Sequence, residues 1–212
     1  MKDIPVFSTQ NGVASLTLRE IPYRGVAYVK IQSSLTPDAL IQECAEFCTA
    51  CGAETIVATG HPALEKYPMR NAVVQRRRPL TGLPDTDAAL FPVQEKTLKQ
   101  WLEIYNRGMF YVANAAWMTE KDGLEMLQEG DGYFVHRGET LLGIGRASGE
   151  KIGAIVAAQK GAGADVVLAL CHALTEDAAM LEVASNNDRA VRLYDRLGFL
   201  PTAELSRWYQ IK

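Results

Sequence analysis

The order of the expected strands and helices predicts an α/β protein with a partly antiparallel sheet. Residues 26–59 read as strand–helix–strand, and from residue 71 onward the expected order is β, α, α, β, β, β, α, β, α, β. Composition agrees with a packed core, because 48% of the 212 residues are hydrophobic and 22% are charged. These values exclude intrinsic disorder for most of the chain.

The N-terminal elements follow from alternation and from helix-start signals. Short strands are expected at 13–18 and 26–31, where the residues alternate and favour β structure. Thr36 and Pro37 suit the N-cap and the first position of a helix over residues 36–51. A buried strand is expected at 54–59. Because two strands joined through a helix favour a right-handed crossover, 26–59 predicts a parallel pair.

An arginine run marks the next strand, expected at 71–80. Arg76, Arg77 and Arg78 are consecutive, so on a strand their side chains alternate between faces and form no single cationic patch. This pattern favours a solvated edge strand or a partner-facing strand over a phosphate site. Residues 81–92 are rich in turn formers and predict a linker.

The remaining elements follow from apolar periodicity and turn residues. Thr119 and Asp122 form a capping-box pattern at the start of one helix, and Gly198 ends another. The expected elements are helices at 95–110 and 120–128, a hairpin of 132–136 and 140–145, a strand at 151–158, a helix at 164–174, a strand at 180–184, a helix at 188–197 and a strand at 207–211.

The charge balance and the chain termini bear on partners and compartment. Lys plus Arg number 22 and Asp plus Glu number 25, a net charge of −3 that is a poor fit to nucleic acid. No apolar run is long enough to span a membrane, so no membrane partner is expected. Residues 1–5 lack the apolar core of a signal peptide, which predicts a cytoplasmic protein. A monomer and a homodimer both remain open.

Three of the four cysteines lie close together, and their C-x3-C-x2-C spacing resembles the cluster motif of radical S-adenosylmethionine enzymes. An iron–sulfur protein is therefore a remote alternative. The same residues also recur at helical spacing, which predicts core packing with no metal and no disulfide. The apolar stripe comprises Leu40, Ile41, Cys44, Phe47, Cys48 and Cys51.

A glycine-rich turn follows the buried strand at 151–158 and opens the helix after it. Gly161 and Gly163 allow close approach of a ligand to the backbone and permit positive φ. Free N–H groups at the start of a helix favour an anion, usually a phosphate. By itself the turn also fits a tight strand–helix connection without a ligand.

A second segment carries a family resemblance. Residues 181–199 resemble the GNAT superfamily of N-acetyltransferases, with a strand ending in V-x-x-x-N followed by A-x-x-L-Y-x-x-x-G-F. The matching residues are Val183, Asn187, Ala190, Leu193, Tyr194, Gly198 and Phe199. The glycine turn lies upstream, where the family keeps its coenzyme A pyrophosphate loop. The resemblance covers about residues 71–212 and includes the order of elements.

The resemblance implies the GNAT acyl-CoA N-acyltransferase fold, a mixed, mostly antiparallel sheet with a splayed parallel pair. It implies a GNAT domain over 71–212 and an N-terminal strand–helix–strand extension within 1–70. That extension mirrors residues 151–184 in outline and lacks a glycine loop, which predicts a truncated GNAT-like half.

The resemblance also implies acetyl-CoA as co-substrate and places it. The pantetheine arm is expected along the backbone of Ile155 and Ala157, with Asn187 fixing the arm or a bridging water. The pyrophosphate is expected at the N–H groups of Lys160, Gly161, Ala162, Gly163, Ala164 and Asp165. The family loop reads R/Q-x-x-G-x-G/A. Lys160 aligns with its first position, and a register from Gln159 would put Ala162 on the central glycine. Asp165 departs from the pattern because a carboxylate repels pyrophosphate unless it faces outward.

The implied reaction moves an acetyl group to a primary amine by direct attack, with Tyr194 as the general acid for the departing thiolate. The general base is not identified; Glu182 is the best-placed carboxylate, while His136 and Tyr105 are weaker candidates. Trp101, Tyr105 and Trp117 fit an acceptor wall or ordinary core packing. A non-catalytic acyl-CoA sensor on the same fold is the alternative function, motivated by Asp165 and the missing base.

Overall fold

The computed structural model describes residues 5–212, so most of the N-terminal stretch used for the leader expectation lies outside the described residues. The strands are β1 (Val6–Thr9), β2 (Gly12–Thr17), β3 (Val26–Ser34), β4 (Thr55–Thr59), β5 (Met69–Pro79), β6 (Ala89–Pro92), β7 (Gly132–Arg137), β8 (Thr140–Ser148), β9 (Lys151–Ala157), β10 (Ala178–Ala184) and β11 (Leu200–Gln210). The helices are α1 (Ile21–Arg24), α2 (Pro37–Ala50), α3 (Glu95–Met109), α4 (Glu120–Glu129), α5 (Gly163–Cys171) and α6 (Asp188–Arg196), with a 3-10 turn at Pro62–Lys66.

The chain divides into two compact units. The first contains the described residues through Val73 together with Glu204–Lys212, and the second is Val74–Ala203. The C-terminal segment therefore groups with the N-terminal residues, which a simple division of the sequence at residue 70 does not express.

The first unit is built on a parallel β3–α2–β4 core. Its strands follow the order β1, β2, β3, β4, and the last residues of β11 pair with β4 in antiparallel fashion. β3 and β4 run parallel, as the sequence predicts. α2 contributes Leu40, Ile41, Cys44 and Cys48 to a buried cluster with the apolar residues of β2, β3 and β4.

The second unit carries a larger mixed sheet. Its strand order is β11 (through its first residues, 200–203), β5, β10, β9, β8, β7, β6, in which β9 and β10 are parallel and the β6–β7–β8–β9 neighbours are antiparallel. One hydrophobic cluster packs α5 and α6 against the sheet, and another packs α3 and α4. Thr119 and Asp122 cap α4 reciprocally, as predicted: the Thr119 N–H donates to the Asp122 carboxylate at 2.9 Å.

The interpretation of the arginine strand as an edge was wrong. β5 lies inside the sheet of the second unit, next to β10, and Arg76 is buried. The prediction that consecutive arginine side chains point to opposite faces of the strand is confirmed, because Arg76 is buried and Arg77 is exposed. Arg77 forms an ion pair with Glu150 at 2.8 Å, and Arg78 donates to the Leu197 carbonyl. Each arginine of the run therefore has its own acceptors within the second unit. The 81–92 linker also contains a strand, because β6 pairs with β7.

The cysteine helix largely follows the core-packing interpretation. Cys44 and Cys48 are buried, and burial raises the pKa of these thiols to about 12 and about 11. Phe47 and Cys51 were wrongly placed in the buried stripe: Phe47 is 41% exposed against the Phe7 ring, and Cys51 is exposed. Within residues 5–212 no group of three or more His, Cys, Asp or Glu side chains is arranged to hold a metal.

No helix in the described part of the chain is both long enough and apolar enough to cross a membrane.

Candidate functional site

The parallel strands of the second unit separate soon after they meet. Met180 pairs with Lys151 and Leu181 with Ile152, and within the described residues the ladder ends there. β9 nevertheless continues to Ala157 and β10 to Ala184. Because neither strand has the other as a partner beyond this point, the pair leaves a gap at its carboxyl ends.

A β-bulge in β9 lies at the point where the gap begins. Along the β8–β9 ladder, Arg146 pairs with Ala154 and Ala147 with Ile152, so Gly153 is the extra residue. A bulge bends its strand and increases the local twist. The extra residue also shifts the alternation of side chains between the two faces of the sheet. Ile152 and Ile155 pack on the α5 side, whereas Ala154 and Val156 pack on the α3 side.

The backbone of β9 presents free groups to this gap. The Ala158 N–H donates to the Leu142 carbonyl of β8, and a Cβ atom on Gly143 would overlap the Val156 carbonyl oxygen. Backbone groups alternate in direction along a strand. The polar groups of Ile155 and Ala157 therefore point away from β8, toward the side that β10 has left. An extended ligand arm has the hydrogen-bonding edge of one strand available there.

The connection from β9 to α5 provides a set of unused amides. Gly161 has φ +90° and permits the turn, and Ala162 stands at the N-cap of α5. Of the six backbone N–H groups from Lys160 to Asp165, five have no acceptor among the described residues, those of Lys160, Gly161, Gly163, Ala164 and Asp165. The Ala162 N–H is occupied by the Gln159 carbonyl at 3.3 Å. Amides of this kind at a helix start form a site for an anion.

The Asp165 carboxylate is held by a cation. Its Oδ1 lies 2.9 Å from Nη2 of Arg137 and accepts from the Thr86 hydroxyl at 3.4 Å. Arg137 also pairs with Asp87 at 2.6 Å. Asp165 lies in the first turn of α5, as expected, but it faces Arg137 rather than open solvent. The arginine offsets the negative charge beside the amides.

Tyr194 lies in α6 with its ring buried at 6% exposure. The ring contacts Phe199, with centroids 6.0 Å apart. Its hydroxyl makes no hydrogen bond to another of the described residues. Burial raises the pKa of Tyr194 to about 12, and the positive charge of Arg76 opposes that rise. The phenol therefore stays protonated at neutral pH, as a proton donor requires.

Two other candidate site residues, Asn187 and Glu182, are engaged in structural contacts. Asn187 is the N-cap of α6, and its Oδ1 accepts from the Ala190 N–H at 3.2 Å. Glu182 is exposed and forms an ion pair with Lys151 at 2.7 Å. Neither observation assigns a base, because the Glu182 carboxylate is engaged by Lys151 and Asn187 is engaged as a cap.

The aromatic residues of α3 belong to the core. Trp101 is fully buried, its indole N–H donates to the Tyr133 carbonyl at 3.1 Å, and Tyr105 stacks on it at 5.4 Å. The core interpretation of both is therefore confirmed. In the last turns of α3, the Asn106 side chain donates to the Met118 carbonyl and accepts from the Met118 N–H, both at 2.9 Å. Asn106 thus fixes the α3–α4 connection.

Sequence reasoning missed two charged residues near these groups. Arg137 lies in the predicted hairpin turn, but its pairing with Asp165 depends on the sheet register that brings β7 beside the α5 start. Arg76 was assigned to a solvated strand although it is buried against α6. The apolar residues flanking it in the 71–80 strand were the one available signal for an inner strand.

No family model matches the chain, and no curated protein matches it. Solved structures do. A functionally unknown conserved protein from Staphylococcus epidermidis is similar with a TM-score of 0.63 and 10% identity, over 98% of this chain and 93% of that one. A GCN5-related N-acetyltransferase from Sphaerobacter thermophilus has a TM-score of 0.54 and 13% identity, over 93% and 75%.

A tandem GNAT protein from the clavulanic acid biosynthesis pathway has a TM-score of 0.50 and 14% identity, over 94% of this chain and 78% of that one. Identities this low carry information about the fold alone. The fold expectation is confirmed: the chain has a mixed α/β architecture with the GNAT fold.

Proposed function

We propose that the protein is an N-acetyltransferase that moves an acetyl group from acetyl-CoA to a primary amine. The observation that carries the proposal is the gap between β9 and β10, followed by the free amides of residues 160–165. A strand edge for an extended arm leads directly into an anion site, which matches the order of pantetheine and diphosphate in coenzyme A.

Each part of acetyl-CoA is assigned to particular residues of the chain. The backbone groups of Ile155 and Ala157 bind the pantetheine arm as an added strand would. The amides of Lys160, Gly161, Gly163, Ala164 and Asp165 bind the diphosphate, while the exposed Lys160 side chain adds positive charge. Ala162 lines the turn as the helix N-cap, with its own N–H already occupied. Arg137 keeps Asp165 from opposing the diphosphate.

Residues of the protein itself then assist the transfer of the acetyl group to the amine. Bound acetyl-CoA would supply the acetyl group as a thioester. The Ile155 N–H polarises the thioester carbonyl, the neutral amine forms the new C–N bond, and the C–S bond breaks. Tyr194 gives its proton to the departing sulfur and regains one from water, while the amine proton leaves to water. No covalent intermediate with the enzyme is needed. Asn187 fixes the arm or a bridging water through its amide nitrogen, because its oxygen caps α6.

In this proposal the two units have different roles, because only the second binds the acetyl donor. The first is a GNAT-like half that lacks a donor site, and the second is the GNAT domain that carries it. We place the reaction in the cytoplasm, with acetyl-CoA and an amine as the partners and with a monomer or a homodimer as the assembly.

Thiol release with a panel of primary amines tests the proposal. The Tyr194→Phe variant is expected to lose turnover by about tenfold or more with little change in donor affinity, because the acid is removed and the ring is kept. Tyr133→Phe is the matched control: it removes a hydroxyl from a half-buried ring in the same unit and leaves turnover unchanged. Equal turnover in Tyr194→Phe and wild type would remove Tyr194 as the acid.

A non-catalytic acyl-CoA sensor is the second candidate, favoured by the surface ion pair that engages Glu182. The same experiment separates the two functions. Donor binding without thiol release for any amine supports the sensor, and absence of donor binding contradicts both.

A further inference from the structure

A buried cation lies beside the helix of Tyr194. Arg76 on β5 is 8% exposed, and its Nη1 donates to Asp195 Oδ1 at 2.6 Å and to the Phe199 carbonyl at 3.1 Å. Its Nε is buried and has no hydrogen-bond partner among the described residues. A buried guanidinium with an unused N–H is costly to fold, so its retention calls for a role besides packing.

Both partners of Arg76 lie next to Tyr194, just after it in the chain. Asp195 is the next residue of α6, and the Phe199 N–H donates to the Tyr194 carbonyl at 2.9 Å. The Phe199 ring contacts the Tyr194 ring. Arg76 therefore holds the C-terminal end of α6 immediately after the proposed acid, and a shift of its guanidinium moves the segment that sets the position of the phenol.

We propose that Arg76 is a positioning residue that fixes the end of α6 and, through its charge, assists proton release from Tyr194 to the departing thiolate. The inference rests on the proposed function. When the phenol gives up its proton to sulfur, the S–H bond forms, the O–H bond breaks and a negative charge appears on the Tyr194 oxygen. The Arg76 cation stabilises that charge in a site from which water is largely excluded.

The charges around the phenol support this assignment. Burial, the larger influence, raises the pKa of Tyr194, and Arg76 is the charged group that lowers it. Asp195 shares the guanidinium and is 56% exposed, so it neutralises Arg76 only in part. Loss of Arg76 and loss of the Asp195 charge should therefore act on the phenol in opposite directions.

This sign difference separates the electrostatic role from a structural one. Arg76→Met and Asp195→Asn break the same ion pair, so a purely structural clasp would make both variants change in the same direction. Under the proposal, Arg76→Met raises the pKa of Tyr194 and Asp195→Asn lowers it. Arg76→Lys keeps the charge while it alters the clasp, and should stay near wild type in the titration.

The titration is measured on protein in which fluorotyrosine replaces every tyrosine, by fluorine NMR against pH. Fluorination makes the phenol more acidic and brings its titration toward the range in which the fold persists. The Tyr194 resonance is assigned by its absence in Tyr194→Phe. The expected order of midpoints is Asp195→Asn, wild type, Arg76→Met, with about one pH unit between the extremes. Equal midpoints, or shifts of both variants in one direction, would overturn the proposal.

Turnover provides the second readout. Arg76→Met is expected to lower kcat about threefold, which corresponds to about half a pH unit of phenol acidity, with the Kd for coenzyme A unchanged. An unchanged kcat in this variant would overturn the catalytic part of the inference. Failure of the proposed function looks different: wild type then releases no thiol with any amine, and the order of the fluorotyrosine midpoints still decides whether Arg76 acts on Tyr194.

Discussion

The two units contain the same β–α–β element with opposite outcomes at the carboxyl ends of the strands. In the first unit β3 and β4 stay paired from Val26↔Thr55 to Lys30↔Thr59, which is the end of β4. In the second unit β9 and β10 share the pairs Met180↔Lys151 and Leu181↔Ile152 and then part. A shared topology therefore does not determine whether a parallel pair opens.

The residues that follow β4 and β10 contribute to this difference between a closed and an open strand pair. After β4 the chain turns at Gly60, with φ +97°, and a Cβ atom there would overlap the Ile31 carbonyl oxygen. The backbone thus passes directly against β3 and closes the space between the strands. After β10 the chain continues through Ser185 and Asn186 to the Asn187 cap of α6.

The connection into the central helix differs as well. Between β3 and α2 only Leu35 and Thr36 intervene, and both of their N–H groups donate to the Asn11 carbonyl, at 2.9 and 3.3 Å. Pro37 follows and has no N–H. This leaves only the N–H groups of Asp38 and Ala39 without an acceptor at the start of α2, against five between Lys160 and Asp165 at the connection into α5. Because the α5 connection offers more free amides, we expect anion binding there rather than at α2.

The largest expected effect is on the closed pair. Gly60→Ala combines positive φ with an overlap against β3 backbone that no side-chain movement relieves, so it should lower the free energy of unfolding by about 3 kcal/mol. Chemical denaturation measures this. The affinity for coenzyme A, measured on folded protein, should not change. A stability loss below about 1 kcal/mol would contradict the close packing of Gly60 on β3.

Gly161→Ala is the matched change in the open pair. Gly161 has φ +90° but open space around the Cβ position, so the stability cost should be about 1 kcal/mol. The turn must adjust its amides to relieve the strain, and coenzyme A should bind about tenfold more weakly, which is about 1.4 kcal/mol. Calorimetric titration gives the affinity. Unchanged binding would mean that these amides do not hold the diphosphate.

The ion pair at the α5 start should have a smaller effect. Arg137→Ala leaves the Asp165 carboxylate uncompensated, so coenzyme A should bind about threefold more weakly, in the range expected for exposed charges. Asp165→Asn should bind it at least as well as wild type. Pantetheine, which lacks the phosphates, is the control ligand: both variants should leave its affinity unchanged, and a loss with pantetheine would assign the effect to folding.

The smallest effect concerns the thiols of the two central helices. Cys44 and Cys48 in α2 and Cys171 in α5 are buried, and burial raises the pKa of each. At neutral pH, alkylation of native protein should therefore label Cys51 first and leave these three unmodified until unfolding. Mass spectrometry of the labelled peptides checks the order. Rapid labelling of Cys48 would contradict the packing of α2.

Local patterns predicted most of the fold but not its long-range features. Alternation, caps and glycine stops located the strands of both parallel pairs and the Thr119 cap, while the family resemblance implied that the second pair is parallel. The short β1, α1 and β6 were missed because four residues carry too little periodicity. β11 starts earlier than expected because its residues are exposed on both faces and show no alternation.

In the candidate site too, sequence indicated the local features but not the long-range contacts. The motif around Tyr194 and the glycine turn are continuous in sequence, so sequence alone indicates them. The burial of Arg76 and the pairing of Arg137 with Asp165 depend on sheet order and register, which join residues far apart in the chain.

A crystal structure of the protein with acetyl-CoA is the most direct test. We predict the pantetheine arm along Ile155 and Ala157, the diphosphate at the amides of residues 160–165, and no ligand between β3 and β4. Density for the donor between β3 and β4, or a diphosphate held away from the α5 start, would contradict this prediction.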